Sequence, residues 1–325
     1  MPGFTTHYIF GMKAYNDMPF TPLKHTIAKY RWLYQLGLQG PDMFFYNIPI
    51  LRHRDYRNVG SYMHEHKVNA FFECCLRRIG TIRSRQQQEE AISYLAGFMN
   101  HYIADSICHP YVYGRIGYPV DAPTSMHHGM HAHLENELDA ILLWKYKKKK
   151  PSEFNQTATI CLNGQEIQFI SHFLASCINE TYYPITYRNN FQVTPAMVHR
   201  SIWALRFGCR TLSDKNGKKK FGIAQVESIF VNHPVASAKM VTDSVTDYRS
   251  SCNLNHEAWG NPWDPTRVST ASFVDLFHET LDKCSRVYAL LNSAVTDNVP
   301  LDKQDLSPLL TELGNESYHS GLPVE

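Results

Sequence analysis

Apolar residues recur every three or four positions along most of the chain, a period that predicts helices nearly throughout. Thr21-Pro22 reads as an N-cap followed by proline at the first helical position, opening a helix expected to reach Gly37 or Gly40. A second helix is predicted over 59–79. A third starts at Ser84, carries Ile92, Leu95, Phe98 and Met99 on its apolar face, continues through His101 and Asp105, and is expected to stop near Pro110. A fourth runs from Ser125 to the lysines at 147–150, whose charges complement the carboxyl end of the helix dipole. Further helices are predicted over 166–180, over 195–212 after Thr194-Pro195, and over 271–297. Asn163-Gly164, lying between apolar residues of 157–167, reads as the turn of a small hairpin, while 214–222 and 250–268 read as loops. No internal repeat or low-complexity linker divides the chain. The expectation is one all-α domain over residues 1–325, with the metal-site half in 1–150 and a less regular helical half in 151–325.

Composition narrows the class. The chain has 325 residues, 43% of them hydrophobic and 13% aromatic, which excludes a disordered protein and supplies a core without staples. Lysines and arginines number 32 against 30 acidic residues, so the total charge of +2 gives no strong field for nucleic acid or an anionic membrane. No apolar run approaches the ~20 residues of a membrane span. The opening residues lack a charged segment followed by an apolar one, so no secretory signal is visible and a cytoplasmic location is expected. None of the eight cysteines belongs to a CxxC pair, which excludes a zinc ribbon and a thioredoxin-type motif and leaves free thiols as the reading.

Histidine changes the picture. Eleven of the 17 histidines fall in the first 133 residues, which directs the search for chemistry to that half. Residues four apart stand one turn above another on a helix, so His101, Asp105 and His109 form a stripe of three metal-type donors. Their flanks, Phe98, Tyr102, Ile103 and Ile107, belong to a buried helix rather than a solvated face. The fourth helix repeats the spacing with His127, His131, Glu135 and Asp139, while His133 and Glu137 lie on a neighbouring face. A His/Glu-rich exposed face is equally consistent with that second stripe taken by itself. Arg52-His53-Arg54-Asp55 has a kinase-like look, but no other kinase motif accompanies it.

Three further donors complete a set: His7, Asp42 in the turn Gly40-Pro41-Asp42-Met43, and His64 four residues after Gly60. Early His, G-P-D turn, G-x3-H, H-x3-D-x3-H at 101–109 and H-x3-E-N at 131–136 occur in that order. Over about residues 1–145 this order resembles the zinc-dependent phospholipase C family, all-helical enzymes related in fold to the S1/P1-type nucleases. The resemblance implies a phospholipase C/P1 nuclease-like bundle with a metal cluster in a cleft and two or three zinc ions. Asp42, His64, His101 and Asp105 would hold one ion. Asp105 would bridge to a second, shared with His7 and, in secreted members, the chain's own amino terminus. His109, His131 and Glu135 would hold the third. His109 follows Asp105 more closely than in the secreted enzymes, but a spacing of four keeps it on the stripe.

Helix geometry adds a constraint. A rise of about 1.5 Å per residue sets His101 and His109 roughly 12 Å apart along the axis, too far to share one ion with bonds of about 2.0–2.2 Å. On the ligand sets that the resemblance implies, His131 and Glu135 would approach the His109 end of the stripe, and Asp42 and His64 the His101 end. Zinc suits such N/O donors, and Mn²⁺ or Fe would also be accommodated. The implied chemistry is hydrolysis of a phosphodiester, with a phospholipid head group or another diester as substrate and Asp42 orienting or deprotonating the attacking water. A nuclease or nucleotidase of the S1/P1 type, or a non-catalytic metal-binding helical module, remain alternatives. Tyr111, Tyr113, Trp259 and Trp263 either wall a pocket for a cation or pack in the core.

Overall fold

The computed structural model describes residues 3–47, 58–184, 191–212, 214, 217–228, 237–243, 245 and 247–325. Arg52, His53, Arg54 and Asp55 lie outside the described residues. The elements run α1 (Phe4–Asp17), α2 (Pro22–Lys29), α3 (Arg31–Gly37), a 3₁₀ helix (Gly40–Tyr46), α4 (Val59–Glu65), α5 (Val68–Thr81), α6 (Arg85–Arg115) and α7 (Ser125–Lys147). They continue with α8 (Gly164–Tyr182), α9 (Pro195–Leu212), α10 (Lys218–Glu227), the single turn α11 (Tyr248–Ser251), α12 (Phe273–Thr296) and α13 (Ser307–Leu313). The strands among the described residues are β1 (Trp259–Asn261) and β2 (Asp264–Ser269), an antiparallel ribbon pairing Trp259 with Ser269.

Helix α6 is the axis. Between Glu90 and Val112 nearly every side chain is buried, on all faces. A helix that is apolar around its whole circumference, rather than along one stripe, is one enclosed by neighbours. Helices α1, α2, α3, α5 and α12 pack along it. Phe71, Phe72, Phe98 and Tyr102 interlock at centroid distances of 5.2–5.7 Å between α5 and α6, and each such buried ring contributes about 1.5–3 kcal/mol relative to exposure. On the other side Phe277 of α12 stacks on Phe10 of α1 at 4.5 Å, and the Tyr288 hydroxyl donates to the Ala96 carbonyl at 3.0 Å. Helix α3 crosses α6 where glycine meets glycine. A Cβ added at Gly37 would lie 2.1 Å from the Tyr94 carbonyl oxygen, and one at Gly97 would lie 2.1 Å from that of Tyr34. That close crossing brings the chain after α3 onto α6 one turn before His101.

Several expectations are corrected, each for a local reason. The helix opened by Thr21, whose Oγ1 accepts from Lys24 N at 3.2 Å, breaks at Tyr30 (φ −114°, ψ 42°), and Ser93 of α6 donates to the Tyr30 carbonyl at 3.0 Å. The helix expected over 59–79 is two, separated by Lys67 in the left-handed region (φ 49°), whose N–H donates to the Glu325 carbonyl at 2.9 Å. Pro110 does not end α6, which continues to Arg115. The Ser106 carbonyl, deprived of its usual donor by the proline, packs against Gly321, where an added Cβ would lie 2.5 Å from it. Asn163-Gly164 makes no hairpin. Asn163 Oδ1 accepts from Glu166 N at 2.9 Å while Glu166 Oε2 accepts from Asn163 N at 2.8 Å, a capping box that starts α8. The presumed loop 214–222 yields its later part to α10, and 250–268 contains the end of α11, all of β1 and most of β2. All eight cysteines are free.

Candidate metal centre

The donors come from α6 and four elements gathered around it. His101, Asp105 and His109 rise on successive turns of α6 and are fully buried. The 3₁₀ helix supplies Asp42, α4 supplies His64, α1 supplies His7, and α7 supplies His131 and Glu135. Asp42, His64, His101 and Asp105 each offer one ligand atom within 4.8 Å of the others, and so do His109, His131 and Glu135. Asp105 stands between the two groups. Its Oδ2 faces His101 Nε2 at 3.1 Å and His64 Nε2 at 3.7 Å, while Oδ1 faces His7 Nε2 at 3.1 Å and His109 Nδ1 at 3.8 Å. Asp42 Oδ1 lies 3.3 Å from His64 Nε2 and 3.8 Å from His101 Nε2. At the far end His131 Nε2 is 2.6 Å and His109 Nε2 3.6 Å from Glu135 Oε1.

Main-chain carbonyls set the imidazoles. His64 Nδ1 donates to the Gly60 carbonyl at 2.7 Å, His101 Nδ1 to that of Leu38 at 3.1 Å, and His109 Nδ1 to that of Tyr318 at 2.7 Å. A proton committed to Nδ1 leaves Nε2 as a lone pair, which is how metal-ligating histidines are held by an outer partner. The Nε2 atoms of His64, His101 and His109, both oxygens of Asp105 and Oδ1 of Asp42 are buried and make no hydrogen bond among the described residues. Lone pairs thus face lone pairs at 3.1–3.8 Å. An unpaired buried acceptor is costly, and six converging ones need a cation. The donor set fits a divalent ion.

The electrostatics register the same demand for positive charge, which protons on the imidazoles meet when no ion is bound. Burial opposes ionisation of Asp105, yet the His101 and His7 rings hold its carboxyl well below the usual range. Burial by itself would lower the His64 pKa; Asp105 and Asp42 reverse that and push it up to about 9. Burial lowers His131, and Glu135 is held low by His131 against its own burial.

A model of the zinc-dependent phospholipase C family matches residues 6–186, which is 181 of 325 positions and spans every one of these donors. The chain belongs to that family. No curated protein and no solved structure matches it. Within this zinc-dependent phospholipase C domain, the geometry separates the remaining histidines of α7. His127 lies in the amino-terminal cap, its Nδ1 2.9 Å from Thr124 Oγ1, and His133 faces Glu137 at 3.6 Å on a more exposed side. His7 stacks on His101 at 4.0 Å and touches the cluster through Asp105; residue 1 lies outside the described residues.

Other groups at the site carry no sequence motif. Asp139 caps α1, accepting from Thr5 N at 3.0 Å and Thr6 N at 2.7 Å, and so fixes the helix that bears His7. Its spacing after Glu135 signals a shared face with that candidate donor but not this role. His319 comes from the carboxyl-terminal segment, stacks on His64 at 4.9 Å and lies 3.3 Å from the Tyr113 hydroxyl. No helical period leads to it, because it follows α13 in irregular chain. The aromatic candidates divide. Tyr111 and Trp259 pack edge to face at 5.4 Å in the core, with the Tyr111 hydroxyl on the Ser251 carbonyl at 2.7 Å. Tyr113 and Trp263, 4.8 Å apart, border the His131 side of the cluster together with Tyr118.

Proposed function

We propose that this chain hydrolyses the phosphodiester of a phospholipid between glycerol and phosphate, releasing the phosphorylated head group. The observation that carries the reading is the buried convergence of imidazole and carboxylate acceptors in a chain of the zinc-dependent phospholipase C family. Two or three zinc ions, held by Asp42, His64, His101 and Asp105, by Asp105 with His7, and by His109, His131 and Glu135, would supply hydroxide near neutral pH and charge stabilisation at the phosphoryl oxygens. The protein's own part is positional. Asp42 turns Oδ1 toward His64 and His101, which leaves its other oxygen to take the proton of the attacking water. The Leu38, Gly60 and Tyr318 carbonyls keep the rings from turning as charge develops. Tyr113, Tyr118 and Trp263 form the aromatic border against which a head group would lie.

Hydrolysis of phosphatidylcholine and of a water-soluble nitrophenyl phosphodiester by the purified protein tests the reading. Expected products are diacylglycerol and a phosphorylated head group, with activity lost on chelation and restored by zinc. Release of the unphosphorylated head group, or full activity in chelator, would overturn it.

A further inference from the structure

The total charge of +2 averages over an uneven surface. Between residues 199 and 220 there are seven lysines and arginines against one aspartate, a net of +6 in that stretch. The solvent face of α9 carries Arg200, Trp203, Phe207 and Arg210, spaced three or four apart, while its inner face buries Val198, Ile202 and Leu205. Trp203 is 63% and Phe207 54% exposed, and their rings lie parallel at 5.3 Å. Helix α10 follows with Lys218, Lys219 and Lys220 in its first turn and Phe221, 67% exposed, directly after. Lys219 Nζ, 3.5 Å from the Thr211 carbonyl, ties the start of α10 to the end of α9.

Helix α9 packs on the 3₁₀ helix that bears Asp42, and α10 connects to α7 through Ser237 and Ala238. Asn47, next after the helix that bears Asp42, donates through Nδ2 to Ser201 Oγ at 2.9 Å and to the Met197 carbonyl at 3.2 Å, both on α9. At the other edge Asn136, adjacent to Glu135, donates to the Ala238 carbonyl at 2.6 Å, and Ser237 donates to Glu227 of α10. Both helices lie beyond the family-matched residues 6–186.

We propose that the outer face of α9 and the start of α10 form a docking surface for an anionic lipid bilayer. The proposal rests on the phospholipid reading above. Exposed indole and phenyl rings beside arginine and lysine are the chemistry of the lipid–water interface, where rings sit among head groups and cations meet phosphate. A second copy of the same face is disfavoured by its own positive charge. A single-stranded nucleic acid needs open ring faces for bases, whereas Trp203 and Phe207 cover one face of each other.

The test is co-sedimentation of the full chain with phosphatidylcholine vesicles with and without phosphatidylserine. The wild type is expected to bind the anionic vesicles and to release in salt. Arg200→Ala with Arg210→Ala should weaken that binding by about twenty-fivefold, roughly fivefold for each basic side chain lost. Trp203→Ser with Phe207→Ser should weaken it tenfold or more, judged roughly from the apolar area withdrawn from water. Both double variants alter exposed side chains and should keep the wild-type unfolding temperature and the wild-type rate on the soluble nitrophenyl diester. Equal vesicle binding by the variants would overturn the proposal. So would wild-type dimerisation that the aromatic variant abolishes, or preference for an oligonucleotide over vesicles. A wild type that cleaves no diester yet binds vesicles through this face would overturn the catalytic reading and leave the docking surface standing.

Discussion

Asp105→Asn isolates the carboxylate on which the two donor groups meet. The change keeps the shape, and the new amide can donate to His101 Nε2, now 3.1 Å from Oδ2, so the fold has a way to tolerate it. What disappears is the negative charge on both sides and the Oδ2 donor toward His64 and His101, while the oxygen toward His7 becomes a neutral amide carbonyl, a weaker donor. Apparent zinc binding in structural sites is about 10–16 kcal/mol, so one ligand of four stands for roughly 3 kcal/mol, or about a hundredfold in affinity. Because the two oxygens point to different positions and the lost charge is felt at both, affinity should fall on each side, most at the His64–His101 position. Elemental analysis after dialysis should therefore find the variant short of two ions, while Glu135→Gln is short of one. The unfolding temperature gives an independent readout. Chelator should lower it in the wild type, since ions that bind only the folded chain stabilise it, and should change it little in Asp105→Asn. An Asp105→Asn protein that keeps the wild-type metal content, or loses no more than Glu135→Gln, would refute the bridging assignment.

Three further outcomes follow from the surroundings of the site. Gly40 sits at φ +47°, where an added Cβ would lie 2.2 Å from His101 Cδ2; Gly40→Ala should cost about 1–2 kcal/mol in backbone strain and turn the ring off the Leu38 carbonyl, with a 10–100-fold loss of zinc affinity in competition with a chelating dye. Burial pushes the Asp139 carboxyl up from 3.8 to about 6 despite the Thr5 and Thr6 amides. A raised carboxyl pKa favours the folded state at low pH and loses that advantage as pH rises through the folded value. The stability of the wild type relative to Asp139→Asn should accordingly fall by about 3 kcal/mol between roughly pH 4 and 6 in urea unfolding, and a flat difference would contradict this. Removal of residues 317–325 takes away the Tyr318 carbonyl that orients His109 at 2.7 Å and should lower zinc affinity at that position by about 10–100-fold, whereas His319→Ala should retain the full metal content by elemental analysis.

The helices were most legible where one local rule decided them. The run from Ser84 and the one from Ser125 are strongly patterned, and the structure starts α6 and α7 within a residue of each. Breaks were misread where a distant segment supplied the missing partner. Pro110 would end a helix in water, but α6 is enclosed there and Gly321 packs over the carbonyl that the proline leaves without a donor. Lys67 interrupts a continuous apolar period because its amide is taken by Glu325, the last residue of the chain. Asn163-Gly164 was a different failure. The same dipeptide serves a hairpin or a helix start, and Glu166 three residues later, completing the capping box, was the cue that decides.

At the site, residue type and spacing identify candidate donors, whereas the atoms that aim them have no letter in the sequence. A stripe at four-residue spacing must put His101, Asp105 and His109 on one side of α6, whatever the tertiary structure does. The ring partners of His101, His64 and His109 are the carbonyls of Leu38, Gly60 and Tyr318, a group that every residue carries. What selects those carbonyls is packing. The Gly37–Gly97 crossing brings Leu38 to His101, the α4 turn offers Gly60 to His64, and the last residues of the chain carry Tyr318 to His109. Tyr318 N also donates to the His64 carbonyl at 2.9 Å, so a single residue touches both donor groups through its backbone. A substitution at Tyr318 that preserves the backbone would leave both contacts in place, while a shift of the segment would disturb two groups whose ligands are all unchanged. The candidate centre therefore extends, in physical terms, beyond the family-matched stretch that contains its donors, and ends at the carboxyl-terminal segment that holds them in register.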